Sequence, residues 1–362
     1  YYQTFTPPST NFTVTLDSNA IVNSIIKDPS KYYSVNNTGT YTVQNDSYKA
    51  NLIFSGSNTV SGTTSIGDGN IKLNGIVSFG GTVNAGSIDV DTTNTITFNS
   101  KVDLSAGTTD AMNFSQAGIV LLSDDFTGNV TSSADGLGTL TVVGNSSGKE
   151  QTIAGNIGTS TSSDINTLNI GSNTVSSNYS KTVVTGNVFA NSTVLNNNGT
   201  TNSSTLYLSD GSNITSTITT ADVNMGILTL AGSSTVDGTV GSTGKLAEVN
   251  SGATGSSSTF TSTVNAVNVT NTGSGTTIFK DDITATTVNV NAGTTNFEKN
   301  LTATSTNITT GTGNFNTASG STNSNIVFSG SGTANLYGDI TGNIVTTSDN
   351  LGTVTVIGDA SG

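Results

Sequence analysis

The sequence predicts an all-β protein: a right-handed parallel β-helix, or β-solenoid, entered through an N-terminal cap. Three observations predict it. Short apolar–polar alternations closed by turn residues recur along the chain, a 29-residue passage occurs twice without a gap, and the composition favours a pleated surface over any other packing.

Composition decides first between a folded and a disordered chain. Only 9% of the 362 residues are charged and 32% are hydrophobic, a share below the globular average. Disordered chains are rich in Pro and charge and poor in β-branched residues. Here Pro occurs three times, while Val, Ile and Thr are abundant; these residues fit a pleated sheet.

Residues 1–50 differ from the rest and are expected to cap the solenoid, whose first coil would otherwise expose unpaired backbone. Pro7, Pro8 and Pro29 are the chain's prolines, and Tyr1, Tyr2, Tyr32, Tyr33, Tyr41 and Tyr48 fall in the same stretch. Within it, "DSNAIVNSIIKDP" (17–29) reads as a helix. Asp17 or Ser18 caps it, Ile21, Val22, Ile25 and Ile26 form one stripe, and Asp28 before Pro29 ends it. A Tyr-rich ligand platform is the functional alternative for this stretch.

Residues 51–362 read as the solenoid. Alternating runs such as "NLIFSG", "TITFN", "GTLTVVG", "GILTLAG", "TTVNVN" and "GTVTVIG" are each closed by Gly, Asn, Asp or Ser. Their spacing of roughly 8–12 residues also suits a β-sandwich. Long-range self-similarity does not. Residues 120–148 and 334–362 align at an offset of 214 with 14 of 29 positions identical, among them Gly128/Gly342, Gly138/Gly352 and Val142/Val356. Coils of about 20–30 residues are expected. Val, Ile, Leu and Phe should face inward, Thr and Ser should stay wet, and Asn should turn corners and ladder between coils. In the repeat, Leu140, Val142, Val354 and Val356 should point into the core.

The charge balance limits the partners. The net charge is −13, the basic residues are ten lysines, and Arg is absent. Nucleic acid and anionic lipid both need clustered Lys or Arg, so neither is expected as a partner. No run of eighteen apolar residues exists, so no segment inserts in a membrane as a helix.

Chemistry is sparse. Without His or Cys the usual nucleophile–base pairs are missing, so an enzyme is not expected. Carboxylate pairs remain: Asp89 with Asp91, Asp124 with Asp125, and Asp281 with Asp282. Neighbouring carboxylates divide acid and base roles in some glycosidases. In "DVDTT", Asp89 and Asp91 fall on one strand face and form a weak calcium site; no other metal or cofactor is expected. Solvated Asp at coil corners is the commoner role.

The phrases "GTLTVVGNSSGKEQTIAGNIGTS", "INTLNIGSNTV" and "TTVNVNAGTTNF" resemble the passenger regions of rickettsial surface cell antigens, the autotransporters that include outer-membrane proteins A and B. The resemblance is one of texture and short phrases over most of residues 50–362. It implies an extracellular β-solenoid at the bacterial cell surface that coats the cell and binds host-cell surface receptors. An S-layer lattice protein shares this composition. A carbohydrate-active β-helix is a third reading, but residues 51–362 hold only Tyr179, Tyr207 and Tyr337 as tyrosines, and no Trp, Arg or His. The chain opens on "YYQTF" and closes on "VTVIGDASG", so it reads as an internal piece. Further coils or other copies of the chain are expected to cover the C-terminal end.

Overall fold

The computed structural model describes residues 3–5, 12–16, 21–22, 24–27, 33–36, 50–54, 56–107, 110–144, 147–172, 178–197 and 202–358, with side chains from Leu52 onward. These residues form strands and no helix, and the parallel strands stack as a β-solenoid of about 15 turns. The chain divides into two compact units. One is Tyr1–Gly144 with Lys149–Asn169 and Phe189–Asn191; the other is Asn145–Gly148, Ile170–Val188 and Ser192–Gly362.

Coils of the first unit have three faces. Asn70–Leu73, Ile76–Phe79 and Val83–Asn84 make one coil; Ser87–Val90, Thr95–Phe98 and Val102–Asp103 make the next. Each strand pairs in parallel with its counterpart, as Ser87 with Asn70, Val77 with Ile96 and Val83 with Val102. Alternation then fixes what stacks on what, because residues two apart share a face. Ile71, Ile88, Met112 and Val130 form one inward rung, and Val83, Val102, Phe126 and Ile153 another; all are at most 1% exposed. Phe79 and Phe98 stack with ring centroids 5.0 Å apart.

Coils of the second unit use two strands. The eight-residue strands Ile283–Val290 and Leu301–Ile308 alternate with the four-residue strands Thr276–Phe279, Thr294–Phe297 and Thr312–Phe315. Thr276 pairs with Thr294 and Thr294 with Thr312, steps of 294 − 276 = 18 and 312 − 294 = 18 residues. The coils are thus shorter here than the 20–30 residues expected, because one long strand replaces two short ones and the turn between them. Phe260, Phe279, Phe297 and Phe315 stack in an unbroken column with centroids 4.8, 5.8 and 5.1 Å apart. Offset aromatic stacking adds to the burial of each ring.

The 17–29 segment corrects the helix expectation. Ile21–Val22 and Ser24–Lys27 are strands, paired in parallel with Ser57–Val60 and Thr64–Ser65. Three of the four apolar residues on the expected stripe are isoleucines and the fourth is Val22. Their β-branches suit the ladder offered by the next coil, and tertiary pairing overrides the helical spacing. Phe12–Leu16 likewise pairs in parallel with Ala50–Phe54, while Tyr33–Asn36 pairs antiparallel with both Ser24–Lys27 and Gln3–Phe5. The other residues of the expected 1–50 cap, and the side chains of its tyrosines, lie outside the described residues.

The long repeat has the same backbone in both copies. Ile119–Leu122 and Thr139–Val142 match Thr333–Leu336 and Thr353–Val356 at the offset of 214. Gly128 and Gly342 interrupt corresponding strands with φ of 133° and 136°. Gly138 (φ 82°) lies so close to the Phe114 ring that a Cβ would overlap it, and Gly352 (φ 74°) lies the same way on Phe328. Where the first copy has Gly136 at φ 67°, the second has Asn350 at φ 59°. Asn is the side chain that best tolerates this conformation, and three of the four non-glycine residues with positive φ among the described residues are Asn. One expectation on the repeat needs correction. Leu140 and Val142 are buried at 0% and 1%, but Val354 and Val356 are 40% and 78% exposed. The latter strand pairs with Thr333–Leu336 and has no described strand on its other side.

Replacing Phe297 with Ala removes a ring from the middle of its column and is expected to cost ~3–5 kcal/mol in urea unfolding. A loss below ~1 kcal/mol would show that the column does not support the coil. The turn chemistry is checked in the same way: Gly138→Ala should cost ~1–3 kcal/mol through overpacking on Phe114, whereas Asn350→Gly should change stability by less than ~1 kcal/mol.

Candidate functional site

Asp89 sits in the middle of Ser87–Val90 and faces outward; Asp91 follows two residues on, at the same side. Backbone register places Lys72 beside Asp89 on the preceding coil and Asn113 beside it on the following one. The Lys72 ammonium stands 2.8 Å from an Asp91 carboxylate oxygen and 3.9 Å from one of Asp89. Ser115 donates its hydroxyl to Asp89 at 2.5 Å, and Asn113 donates to Ser115 at 2.9 Å. The sequence therefore places both carboxylates together as expected, but an ammonium stands where a calcium ion would need to sit. Calcium takes six to eight oxygens, and among the described residues no group of three or more His, Cys, Asp or Glu could hold a metal.

The other two pairs follow one pattern. The first Asp of each pair holds a lysine, and the second accepts backbone N–H from the following coil. Lys149 lies 2.6 Å from Asp124, and Thr152 N–H donates to Asp125 at 2.8 Å. Lys299 lies 3.1 Å from Asp281, and the backbone and amide of Asn300 donate to Asp282 at 3.1 and 3.0 Å. The same bond recurs with asparagine as acceptor, from Ser321 N–H to Asn300 and from Asn343 N–H to Asn325. These corner side chains fasten one coil to the next. Hydrogen bonding from Lys72 holds the Asp91 carboxyl below its usual range, and hydrogen bonding from Lys299 does the same for Asp281.

The second unit carries a different kind of surface. On the four-residue strands the first residue faces out, the second in, the third out and the fourth in. Register therefore lines up Ser257, Thr276, Thr294, Thr312, Thr333 and Thr353 in one outward column. Beside it run Thr259, Ile278, Asn296, Asn314, Asn335 and Thr355. The Asn335 amide donates to Asn314 at 2.8 Å, and Asn314 to Asn296 at 2.6 Å. The long strands carry a second such ladder, with Asn307 donating to Asn289 at 3.0 Å. Rows repeat every ~4.8 Å, the spacing between strands.

Charge is excluded from both faces. Between Ser251 and Gly338 the charged residues are Lys280, Asp281, Asp282, Glu298 and Lys299. All five lie between the end of a short strand and the start of a long one, which is a single corner of the coil. Sequence reading predicted wet threonines and Asn ladders but not the columns. Their signal was present: "TTIF", "TTNF" and "TGNF" begin at 276, 294 and 312. The tyrosines remain scattered; the nearest to a platform is Tyr207, whose ring centre lies 5.8 Å from the Lys181 ammonium. Among the described residues no helix is long and apolar enough to cross a membrane. Comparison with family models, with curated proteins and with solved structures finds no match to this chain.

Acid titration tests the corner pairs. The lowered carboxyls of Asp91 and Asp281 bind protons more readily in the unfolded chain than in the folded one. Their contribution is present above the usual carboxylate range and is lost as pH falls through the folded values. Lys72→Gln should flatten part of this acid dependence and lower stability at neutral pH by at most ~1 kcal/mol, the scale of an exposed pair. Equal acid dependence of melting in both proteins would remove Lys72 from the account.

Proposed function

We propose that this chain is a structural and adhesive surface element: an extracellular β-solenoid of the autotransporter-passenger kind, which coats the bacterial cell and attaches to host-cell surface receptors. The observation that carries the reading is the repetition of uncharged hydroxyl and amide columns along successive coils. Each Thr or Asn offers one weak contact. Identical rows let many such contacts form together, and linked weak contacts multiply into avidity. The charged corner and the net charge of −13 keep copies soluble by mutual repulsion.

The reading assigns no reaction to the chain. Each carboxylate pair considered for acid–base or metal chemistry is committed to lysine and to backbone donors. An S-layer lattice is the second reading. The uncharged faces favour it, because flat rows of equal period pack copies side by side with charged corners turned outward. Other copies of the chain are then the partner.

Immunogold labelling of intact source cells tests the location, with label expected on the outer surface; label confined to the cell interior would overturn both readings. A regular lattice under the label would select the S-layer. Beads coated with the protein are expected to adhere to cultured host cells. The double variant Thr276→Lys with Thr312→Glu leaves the net charge unchanged and should reduce adhesion about tenfold, a loss of ~1.4 kcal/mol, without shifting the melting temperature. Undiminished adhesion would clear the hydroxyl column of the role.

A further inference from the structure

Asp135 and Asp164 are far apart in sequence and belong to different coils. Asp135 lies in the turn that leads into Thr139–Val142, and Asp164 immediately precedes the strand that begins at Ile165. These two strands stack: Asn166 N–H donates to the Gly138 carbonyl at 3.0 Å, and the Asn169 amide donates to the Thr141 hydroxyl at 3.2 Å. Gly136 N–H donates to both oxygens that Asp164 offers it, the backbone carbonyl at 3.1 Å and the carboxylate at 3.0 Å. Asp164 is 8% exposed, while Asp135 is exposed. The Asp135 carboxyl lies within hydrogen-bonding reach of the Asp164 carboxyl.

We propose that Asp135 and Asp164 form a pH-operated latch between two consecutive coils, closed when the pair shares one proton and released when both carboxylates ionise. Two carboxylates in hydrogen-bond contact need a proton between them, because the ionised pair repels at short range in a poorly solvated place. No basic group relieves that repulsion. The turn 133–138 holds Asp135 as its titratable residue, and the segment 155–170 holds Asp164. Residues 111–118, which pack beneath the turn through Phe114, carry no charge, and neither does Phe189–Asn191, whose Asn191 amide faces Gly136. The contrast with the other acidic pairs is direct, since each of those holds a lysine.

Burial, reinforced by the hydrogen bond with Asp135, holds the Asp164 carboxyl above its usual range. The folded chain thus binds this proton more tightly than the unfolded chain. The latch contributes stability when protonated and loses it as pH rises through the folded value, the opposite sense to the lysine-paired corners. In the closed state one carboxyl donates its O–H to the other, and Asp164 still accepts from Gly136. On ionisation the exposed Asp135 swings into solvent, and the turn at Gly136 loosens from the coil above it. Mild acid therefore tightens this junction while it weakens the lysine pairs.

Hydrogen exchange of the full chain, read by mass spectrometry between about pH 4 and pH 7 and corrected for intrinsic rates, tests the latch. Peptides covering 133–138 and 159–166 should lose protection about tenfold as pH rises, while the Thr294–Phe297 strand, which contains no titratable group, stays constant. In Asp135→Asn the amide donates to the Asp164 carboxylate at every pH, so the pH dependence should disappear while protection persists. Asp164→Asn, measured in parallel, should also abolish the dependence and guards against a fold defect in the first variant. Flat protection in the native chain, or an unchanged fall in Asp135→Asn, would overturn the proposal.

Discussion

Parallel pairing in register, from each coil to the next, is the constraint on which everything else depends. Once Thr294 lies beside Thr276 and Thr312 beside Thr294, every other residue of the coil has its neighbour chosen for it. Phe falls on Phe inside, Asn on Asn outside, and Asp or Asn at a corner on the N–H of the coil above. The strands are too short to hold together alone, since two- or four-residue segments gain little without partners on both sides. Stability therefore comes from stacking, and the sequence spends its few large side chains there. Phe54, Phe79, Phe98, Phe114, Phe126, Phe260, Phe279, Phe297, Phe315 and Phe328 are all essentially fully buried.

The fold was legible because a solenoid writes its period into the sequence. Alternation in "TITF" and "GTLTVVG" identified both the strands and their inward faces, and Leu140 and Val142 are buried as read. The equivalence of the two long repeats extends to a glycine resting on a phenylalanine in each. The helix read at 17–29 failed for a physical reason. A stripe of Ile21, Val22, Ile25 and Ile26 fits helical spacing, yet β-branched residues next to a waiting sheet edge take the sheet. Spacing alone could not weigh a partner that lies many residues away.

The sites were less legible. Asp89 and Asp91 could be placed on one face from "DVD", but the ammonium between them comes from Lys72, one coil earlier. Asp135 and Asp164 sit at unrelated positions in the alternation, and only the lengths of the intervening turns bring them together. Those lengths vary from coil to coil: Ser87 lies 17 residues from its partner Asn70, and Thr152 lies 27 from Asp125. A coil period that drifts hides lateral neighbours even when each strand is obvious. Where the period is constant, as from Thr276 to Thr312, the columns could have been read directly.

That constant step has a genetic corollary. In a stacked fold each coil meets only the coils on either side. Removing Thr294–Gly311, one step of 311 − 294 + 1 = 18 residues, would set Thr312 on Thr276, Asn314 on Ile278 and Phe315 on Phe279, with the strand order intact. Duplicating the step would do the reverse. A gene built of such interchangeable segments can lengthen or shorten its product by unequal recombination, one in-frame unit at a time, without ever passing through an unfolded design.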